Sequence, residues 1–365
     1  MGSILGVTMP CTHPTPVWIS EHLKPNGKMN VSFKPVKDWI PGSVPCGKCY
    51  ICRLERSRQW AMRCVHEAQI YNDKNAFITL TYNDESLPPG ANLDLRDWQL
   101  FMKNLRKRLV PKNPYDRQTD KEEFDKWQLA NGIRFFMCAE YGENAVNNPE
   151  AKPEDRQKHL QQYGYSKLGR PHFHAIIFNQ DFRFIHEDTK LPDLELERKS
   201  PKGDPLYRSR ILEECWGKGF VTVGDVTFES AAYCARYVMK KMTGEMSEQH
   251  YTRMYEDGEL IKLKPEFTCM SKRPVGIGQQ WFDKYKTDVY PKDFTTIRGK
   301  KLKPPKYYDR LLETIDSELL ESIKDNRREF AELNNDDDGR YRLRHKEMVK
   351  KAQTQNLNRN LDREI

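Results

Sequence analysis

No stretch of this 365-residue sequence approaches the ~20 consecutive apolar residues that a membrane-spanning helix needs, so no membrane partner is expected. The opening residues, MGSILGVTMPC, lack a basic segment, and their apolar stretch is too short for an export signal. The nine cysteines, an odd and unevenly spread set, are therefore expected as thiols or metal ligands rather than as a disulfide framework. An excess of one charge is also missing. Lys and Arg number 61 against 53 Asp and Glu, a net +8, which permits nucleic acid as a partner without demanding it. There is no internal repeat and no alternating strand-helix rhythm. These absences favour an α+β fold with a largely antiparallel sheet. A nucleotide-binding loop is absent too. GSVPCGKC (42–49) nearly fits the phosphate-loop pattern, but Cys49 stands where a hydroxyl should meet Mg²⁺, and no convincing strand is expected before it.

What is present begins with an irregular, proline-rich segment, 1–45. Helical spacing follows from about Lys48 to Asn72. NAFITLTYND (75–84) is expected as a strand, and LDLRDWQLFMKNLRKRL (93–109) as an amphipathic helix with Asp94 as its N-cap. GIRFFMCAEYG (132–142) is a second strand, and a polar stretch (143–168) leads to a third, GRPHFHAIIF (169–178). Residues 180–210 look loop-like, 217–228 a strand pair or bulged strand, and 230–242 a helix. Beyond 310 long charged helices are expected. Three segments result: 1–74 with the cysteine cluster and a long helix, a core at 75–245, and a charged, largely helical extension at 246–365.

Two imidazoles one residue apart set the main question. Side chains alternate along a strand, so His172, His174, Ile176 and Phe178 share one face, and Phe173, Ala175 and Ile177 the other. Both faces are mostly apolar, as suits a central strand. Burying paired imidazoles without a partner is costly, and a metal ion would be one such partner.

The helix at 230–242 poses a second question. Ala231, Cys234, Ala235, Val238 and Met242 fall on one side of the helical wheel, with Tyr233, Arg236, Tyr237 and Lys240 opposite. The tyrosines are one turn apart, and each is followed three residues later by a cation, Arg236 or Lys240. A phenol is a weak nucleophile at neutral pH. It can attack a phosphodiester when a metal polarises the phosphate and cations stabilise the developing charge.

PHFH followed by YCARYVMKK resembles the HUH endonucleases, and the doubled tyrosine resembles the rolling-circle replication initiators of small single-stranded DNA phages. The wording CAEYG…GRPHFHAIIF, with PCGKC and RSRQWAMRC upstream, is most similar to the gokushovirus branch of the Microviridae. The resemblance covers about residues 44–285. It implies an antiparallel sheet of about five strands with the histidines central and helices packed on it.

It also implies that His172 and His174 bind Mg²⁺ or Mn²⁺, with Glu140 as third ligand. Some 27 residues intervene between EYG and RPHFH, where the family commonly has a short hairpin, so Glu143 remains an alternative. Tyr233 and Tyr237 match the nucleophiles and Lys240 the motif lysine, with Arg236 serving the other tyrosine and Lys241 at the edge of that face. The implied activity is nicking and rejoining of single-stranded DNA at the origin of the phage replicative form, through a 5′-phosphotyrosine bond. Since the chain shows no motor of its own, a host helicase and a host DNA polymerase are the expected partners, in the host bacterial cytoplasm. Lys272 and Arg273, in TCMSKRPVGIG (268–278), are further DNA-binding candidates, as are Arg106, Lys107 and Arg108. The weighed alternatives are an HUH-type nickase like the relaxases and transposases, a metal hydrolase, which would need ligands beyond the two histidines (His186 and His250 sit in unremarkable contexts), and a non-catalytic nucleic-acid binder.

The remaining signal lies in thiols. Cys46 and Cys49 have zinc-knuckle spacing and Cys52 lies one helical turn on. With Cys11 they make a candidate structural zinc set, His13 or Cys64 being substitutes.

Overall fold

Strands here are set by β-branched and aromatic alternation, and helices by capped amphipathic runs. The computed structural model describes residues 11–23, 29–200, 203–240, 246–333 and 340–359, with the side chains of 23, 29, 147, 237–240, 331, 332, 340 and 355–359 excepted. In chain order the elements begin with β1 (Thr15–Leu23), β2 (Met29–Ser32), β3 (Ile40–Val44), α1 (Tyr50–Ile70), β4 (Asn75–Tyr82), α2 (Leu95–Leu109), α3 (Lys121–Asn131) and β5 (Arg134–Glu143). They continue with α4 (Pro153–Tyr163), β6 (Leu168–Phe178), β7 (Leu194–Lys199), β8 (Pro205–Ser209), α5 (Arg210–Trp216), β9 (Gly219–Gly224) and α6 (Phe228–Lys240). Then come α7 (Met246–His250), β10 (Thr252–Met254), β11 (Leu260–Lys262), β12 (Phe267–Met270), α8 (Gln279–Val289), β13 (Thr295–Ile297) and β14 (Lys300–Leu302). The last helices are α9 (Lys306–Ile315), α10 (Ser317–Leu333) and α11 (Arg340–Arg359). Among the described residues no helix is long and apolar enough to cross a membrane.

Two compact units emerge. One draws on the chain up to Gln59 and again from Tyr285; the other is Trp60–Lys284. Their limits differ from the segment limits drawn at 74 and 245, because β12, beyond 245, pairs with β5.

The second unit is built on an antiparallel sheet of seven strands in the order β12-β5-β6-β4-β9-β8-β7, not the five expected. The extra strands come from segments whose composition hides them. β7 reads LELERK and is mostly exposed, the charged character typical of an edge strand protected from further pairing. It forms a hairpin with β8, so the loop-like expectation for 180–210 is corrected. β12 takes in the start of TCMSKRPVGIG (268–278), for which no strand was expected. The 217–228 segment supplies one strand, β9, rather than a pair.

One sheet face carries the main core. Ile78, Leu80, Phe173, Ala175, Ile177, Met137, Val221 and Val223 pack there with Trp98, Phe101, Met102 and Leu105 of α2 and Leu212 and Trp216 of α5. Asp94 caps α2 by accepting from the Arg96 amide at 2.9 Å. The opposite face carries Phe136, Cys138, Ile176 and Phe178, all fully buried. Trp60 of α1 packs on Phe136, with ring centroids 5.1 Å apart.

In the first unit, the 1–45 region expected to be irregular holds a three-stranded sheet, β2-β1-β3. Prolines at both ends of its strand pairing, such as Pro16 opposite Ser43 and Pro41 opposite Trp18, masked it, since proline is tolerated on edges and at strand starts. A strand, β3, does therefore precede GKC. The cysteines of that loop turn toward one another instead of presenting a phosphate cradle.

Candidate metal and nucleophile site

The site grows from strand register. Glu140 of β5 lies directly opposite His172 of β6, and His172 opposite Thr81 of β4. One rung along, Cys138, His174 and Thr79 align in the same way. Directly opposed residues point to the same face, so the register alone gathers these groups on the face away from the main core.

The 27-residue insertion does not disturb this pairing. Asn144 closes its base, its side-chain amide donating to the carbonyls of Gly164 at 3.0 Å and Ser166 at 2.8 Å. A bulge follows between Tyr141 and Glu143. There the backbones approach so closely that a Cβ at Gly169 would lie 2.5 Å from the Glu143 carbonyl oxygen. Glu143, beyond the bulge and exposed, pairs with Leu168 at the strand end. Glu140 is the carboxylate that faces the imidazoles.

Both histidines address one atom. His172 Nε2 lies 2.7 Å and His174 Nε2 2.9 Å from Glu140 Oε1. The carboxylate and His174 are buried, and His172 keeps 16% of its side chain exposed. Burial works to raise the Glu140 pKa, but charge attraction to His172 and hydrogen bonds from both imidazoles more than offset it and hold the carboxyl far below its usual range.

The outer nitrogens are also engaged. His172 Nδ1 meets the Arg170 carbonyl at 3.1 Å, an acceptor, so that nitrogen carries the proton. The Nε2 of neutral His172 is then a lone pair facing a carboxylate lone pair. Only a cation between them, a proton or a metal ion, makes that contact attractive. His174 Nδ1 is held by Thr79 Oγ1 at 2.9 Å. Two imidazoles oriented from behind and one carboxylate, with ligand atoms within 4.8 Å of one another, fit a divalent ion with positions left open.

Tyr233 completes the arrangement. α6 lays Ala231, Cys234 and Ala235 on the sheet, fully buried, with Cys234 against the Cys138 thiol. Tyr233 is itself only 8% exposed, so the helical wheel misplaced it on an outward basic face. The helix lies close enough to the sheet for its flank to be covered as well. The phenol ring stands edge-on to His174 and Phe77, with centroids 5.1 and 6.1 Å away. Its hydroxyl oxygen is 3.5 Å from His174 Nε2.

Arg236 is half-buried on the same helix. Tyr237 and Lys240 hold backbone positions on α6, but their side chains, like the whole of Lys241, lie outside the described residues.

Other expected residues lie apart from this cluster. Lys272 and Arg273 are exposed on the loop after β12. Arg106 donates to the Ile133 carbonyl at 2.9 and 3.2 Å, and Arg108 pairs with Glu214, so both are committed to structure; Lys107 is exposed. His186 bonds Asp193 at 2.8 Å instead of joining the triad, and His250 packs its ring against Tyr251.

Sequence reasoning missed Thr79, Asn144 and Phe220. The first could have been found by extending the alternation of β4 across from His174. Phe220 stands opposite Thr81 and is 65% exposed. It therefore extends the row Glu140, His172, Thr81 along one sheet face as an uncovered aromatic.

A model of the family described as replication-associated protein ORF2/G2P matches residues 152–242, the segment from α4 through the histidine strand to the tyrosine helix. The replication-associated protein ORF2 of Spiroplasma virus 4 is 31% identical over 302 residues, 80% of this chain and 75% of that protein. The replication-associated protein VP4 of Bdellovibrio phage phiMH2K is 28% identical over 278 residues, 76% of this chain and 70% of that one. The replication-associated protein ORF4 of Chlamydia phage 1 is 29% identical over 199 residues, 54% and 38% of the two chains. No solved structure matches. The identity and coverage shared with the first of these, together with the family match over the histidine strand and the tyrosine helix, make this chain a member of the phage replication-associated protein family.

Proposed function

We propose that the protein is a metal-dependent HUH-type endonuclease that nicks and rejoins single-stranded DNA at a phage origin and so initiates rolling-circle replication. The observation that carries this reading is the Tyr233 hydroxyl 3.5 Å from His174 Nε2, at the imidazole pair that shares Glu140.

Bound at Glu140, His172 and His174, Mg²⁺ or Mn²⁺ would supply Lewis-acid polarisation of the scissile phosphate. The chain's own residues do the rest. Glu140 and the two Nε2 atoms hold the position, while Arg170 and Thr79 fix the rings from behind. Tyr233, walled by Phe77 and His174, presents its oxygen to phosphorus. A bond forms from the phenol oxygen to phosphorus and the bond from phosphorus to the 3′ oxygen breaks. The proton lost from the phenol balances the one gained by the 3′ hydroxyl. The ester energy stays in the phosphotyrosine bond, so rejoining needs no ATP. Tyr237, one turn further along α6, is the nucleophile for the second cleavage, with Arg236 and Lys240 neutralising developing charge. The freed 3′ end primes the host polymerase, and a host helicase separates the strands.

The test is incubation with a labelled single-stranded origin oligonucleotide and Mn²⁺, resolved on a denaturing gel. The fragment on the 3′ side of the nick should carry the protein on its 5′ phosphate, and the fragment on the 5′ side should be released with a free 3′ hydroxyl. Tyr233→Phe/Tyr237→Phe should abolish the linked species. Cleavage that survives the double replacement would mean water is the nucleophile, and binding without cleavage by the unaltered protein would make it a binder only.

A further inference from the structure

Outside the nicking site, the first unit gathers four thiols from two separate stretches of chain. Cys11 precedes β1. Cys46, Cys49 and Cys52 span the loop after β3 and the start of α1. Cys11 Sγ lies 3.7 Å from Cys46 Sγ and 3.9 Å from Cys49 Sγ, and all four sulfurs fall within 4.8 Å of one another. A bonded disulfide needs about 2.04 Å. A tetrahedron of sulfurs about 2.3 Å from a central ion has edges of about 3.8 Å. The observed spacing matches the second.

Backbone amides point at the sulfurs as well. Cys46 N donates to Cys11 Sγ at 3.3 Å, Lys48 N and Cys49 N to Cys46 Sγ at 3.4 and 3.2 Å, and Cys52 N to Cys49 Sγ at 3.5 Å. N–H groups directed at sulfur stabilise thiolate, the form that ligates metal. Gly47 takes φ of 70° inside the knuckle, a left-handed turn that glycine adopts without a Cβ clash. The two substitutes weighed from the sequence do not share this geometry. Cys64 is fully buried on α1 near Cys138, and the His13 side chain is 62% exposed and turned toward Thr12 and Glu347.

We propose that Cys11, Cys46, Cys49 and Cys52 bind one structural Zn²⁺ and that this ion anchors the docking platform of α11. Thr12, beside Cys11, donates to Glu347 at 2.6 Å in a buried hydrogen bond. Glu347 also meets Lys351 at 2.8 Å. Tyr50, beside Cys49, bonds Thr354, and the Lys351 ammonium sits 5.9 Å from the Tyr50 ring centre. Positions 347, 351 and 354 form one face of α11 and rest on the two chain segments that the thiols join. Zinc uptake replaces thiol protons and releases them to solvent, so affinity falls at acid pH. Four thiolates close the coordination sphere, so the ion is structural and leaves no open position for substrate.

The test uses the full chain purified under reducing conditions without a histidine tag. Elemental analysis should give one zinc per chain. Exchange with Co²⁺ should give the thiolate charge-transfer band and intense visible bands of a tetrahedral sulfur site. Cys46→Ser and Cys49→Ser should drop zinc at least tenfold, whereas Cys64→Ser and Tyr233→Phe keep it. Chelation should expose α11 to trypsin, and Thr12→Ala should do so with zinc retained. If the cysteine variants do not fold, the cobalt spectrum of the unaltered protein decides. Zinc absent and no charge-transfer band would overturn the site. Equal loss of zinc on Cys64→Ser would overturn the ligand set. Trypsin resistance unchanged by chelation would overturn the anchoring role. None of these readouts involves DNA cleavage, so the nicking proposal stands or falls separately.

Discussion

Thr79 and His174 face each other across β4 and β6, and the threonine oxygen lies 2.9 Å from the imidazole Nδ1. That contact turns Nε2 toward Glu140. With a cation on Nε2 the ring is neutral, its Nδ1–H donates to Thr79, and the ring can neither rotate nor change tautomer without breaking that hydrogen bond. Outer partners of this kind are worth about 10–100-fold in metal affinity. Thr79→Val should weaken Mn²⁺ binding by about that factor, measured by calorimetry on the intact protein, and Thr79→Ser should restore it. Equal affinity in the Val variant would show that the backbone alone orients the ring.

Phe220 lies two strands from His172 along the same rung, about 10 Å away at ordinary strand spacing. If that cluster handles phosphate as proposed, an exposed phenylalanine beside it suits a nucleobase, because every base has a face to stack. Aromatic stacking on single strands contributes about 1–3 kcal/mol per base. Phe220→Ala should therefore weaken single-stranded DNA binding by about five- to 150-fold, and Phe220→Trp should preserve it. Fluorescence anisotropy on a Tyr233→Phe/Tyr237→Phe background separates binding from cleavage. Unchanged affinity in the alanine variant would assign the strand another path.

His66 offers a different kind of control. It is almost wholly buried on α1 and stacks on Trp281, with ring centroids 3.6 Å apart and planes at 6°. Burial pushes its pKa down to about 3. Below the unfolded value of about 6.5 the unfolded chain takes up a proton that folded His66 refuses until about pH 3. Stability from this residue is thus complete above about 6.5 and is lost as pH falls through that window, by up to about 1.4 kcal/mol per pH unit. Urea denaturation at about pH 7.5 and about pH 5.5, followed by tryptophan fluorescence, should show His66→Phe losing about 1.4 kcal/mol less than the unaltered protein between the two. An identical loss in both would mean that His66 takes up its proton while folded.

The sites were more legible than the scaffold, for a physical reason. Strand parity is strict, so the sharing of a face by His172 and His174 follows from spacing alone, and the pairing of Glu140 with His172 needs only an undisturbed hairpin. What concealed that hairpin was chain length: Asn144 closes the insertion through hydrogen bonds that no local pattern announces. β1 and β3 escaped notice because prolines interrupt them, and β7 because an edge strand of charged residues reads as loop. Tyr233 was assigned to the right helix but the wrong surroundings. A wheel ranks residues by one face, whereas α6 buries residues 233–235 in succession. The four zinc-candidate thiols were legible in the sequence, with His13 and Cys64 held as substitutes, and the fold brings that first set of four together.

The loop carrying Lys272 and Arg273 is held by a buried ion pair far from it in sequence. Arg134 of β5 and Glu67 of α1 meet at 2.5 Å with side chains 3% and 0% exposed. Arg134 donates onward to the carbonyls of Arg273 at 3.0 Å and Val275 at 2.9 Å, while Glu67 accepts from the Gly278 amide at 2.6 Å. Every arm of the pair grips the loop, so its backbone is fixed while both cationic side chains face solvent. Removing one partner of a buried pair leaves the other charge stranded, at a cost of about 3–5 kcal/mol. Arg134→Met should lose about that much in urea denaturation and open the loop to trypsin at Lys272; Arg134→Met/Glu67→Gln should recover part of it. By contrast, Lys272→Ala/Arg273→Ala touches only exposed groups and should stay within about 0.5 kcal/mol of the original stability. If those cations meet phosphates, the same variant should bind single-stranded DNA more weakly, and its salt dependence should fall by about 0.7 for each phosphate no longer neutralised. A salt slope left unchanged would remove the loop from the DNA path, and an Arg134→Met protein as stable as the original would show that the pair does not hold it.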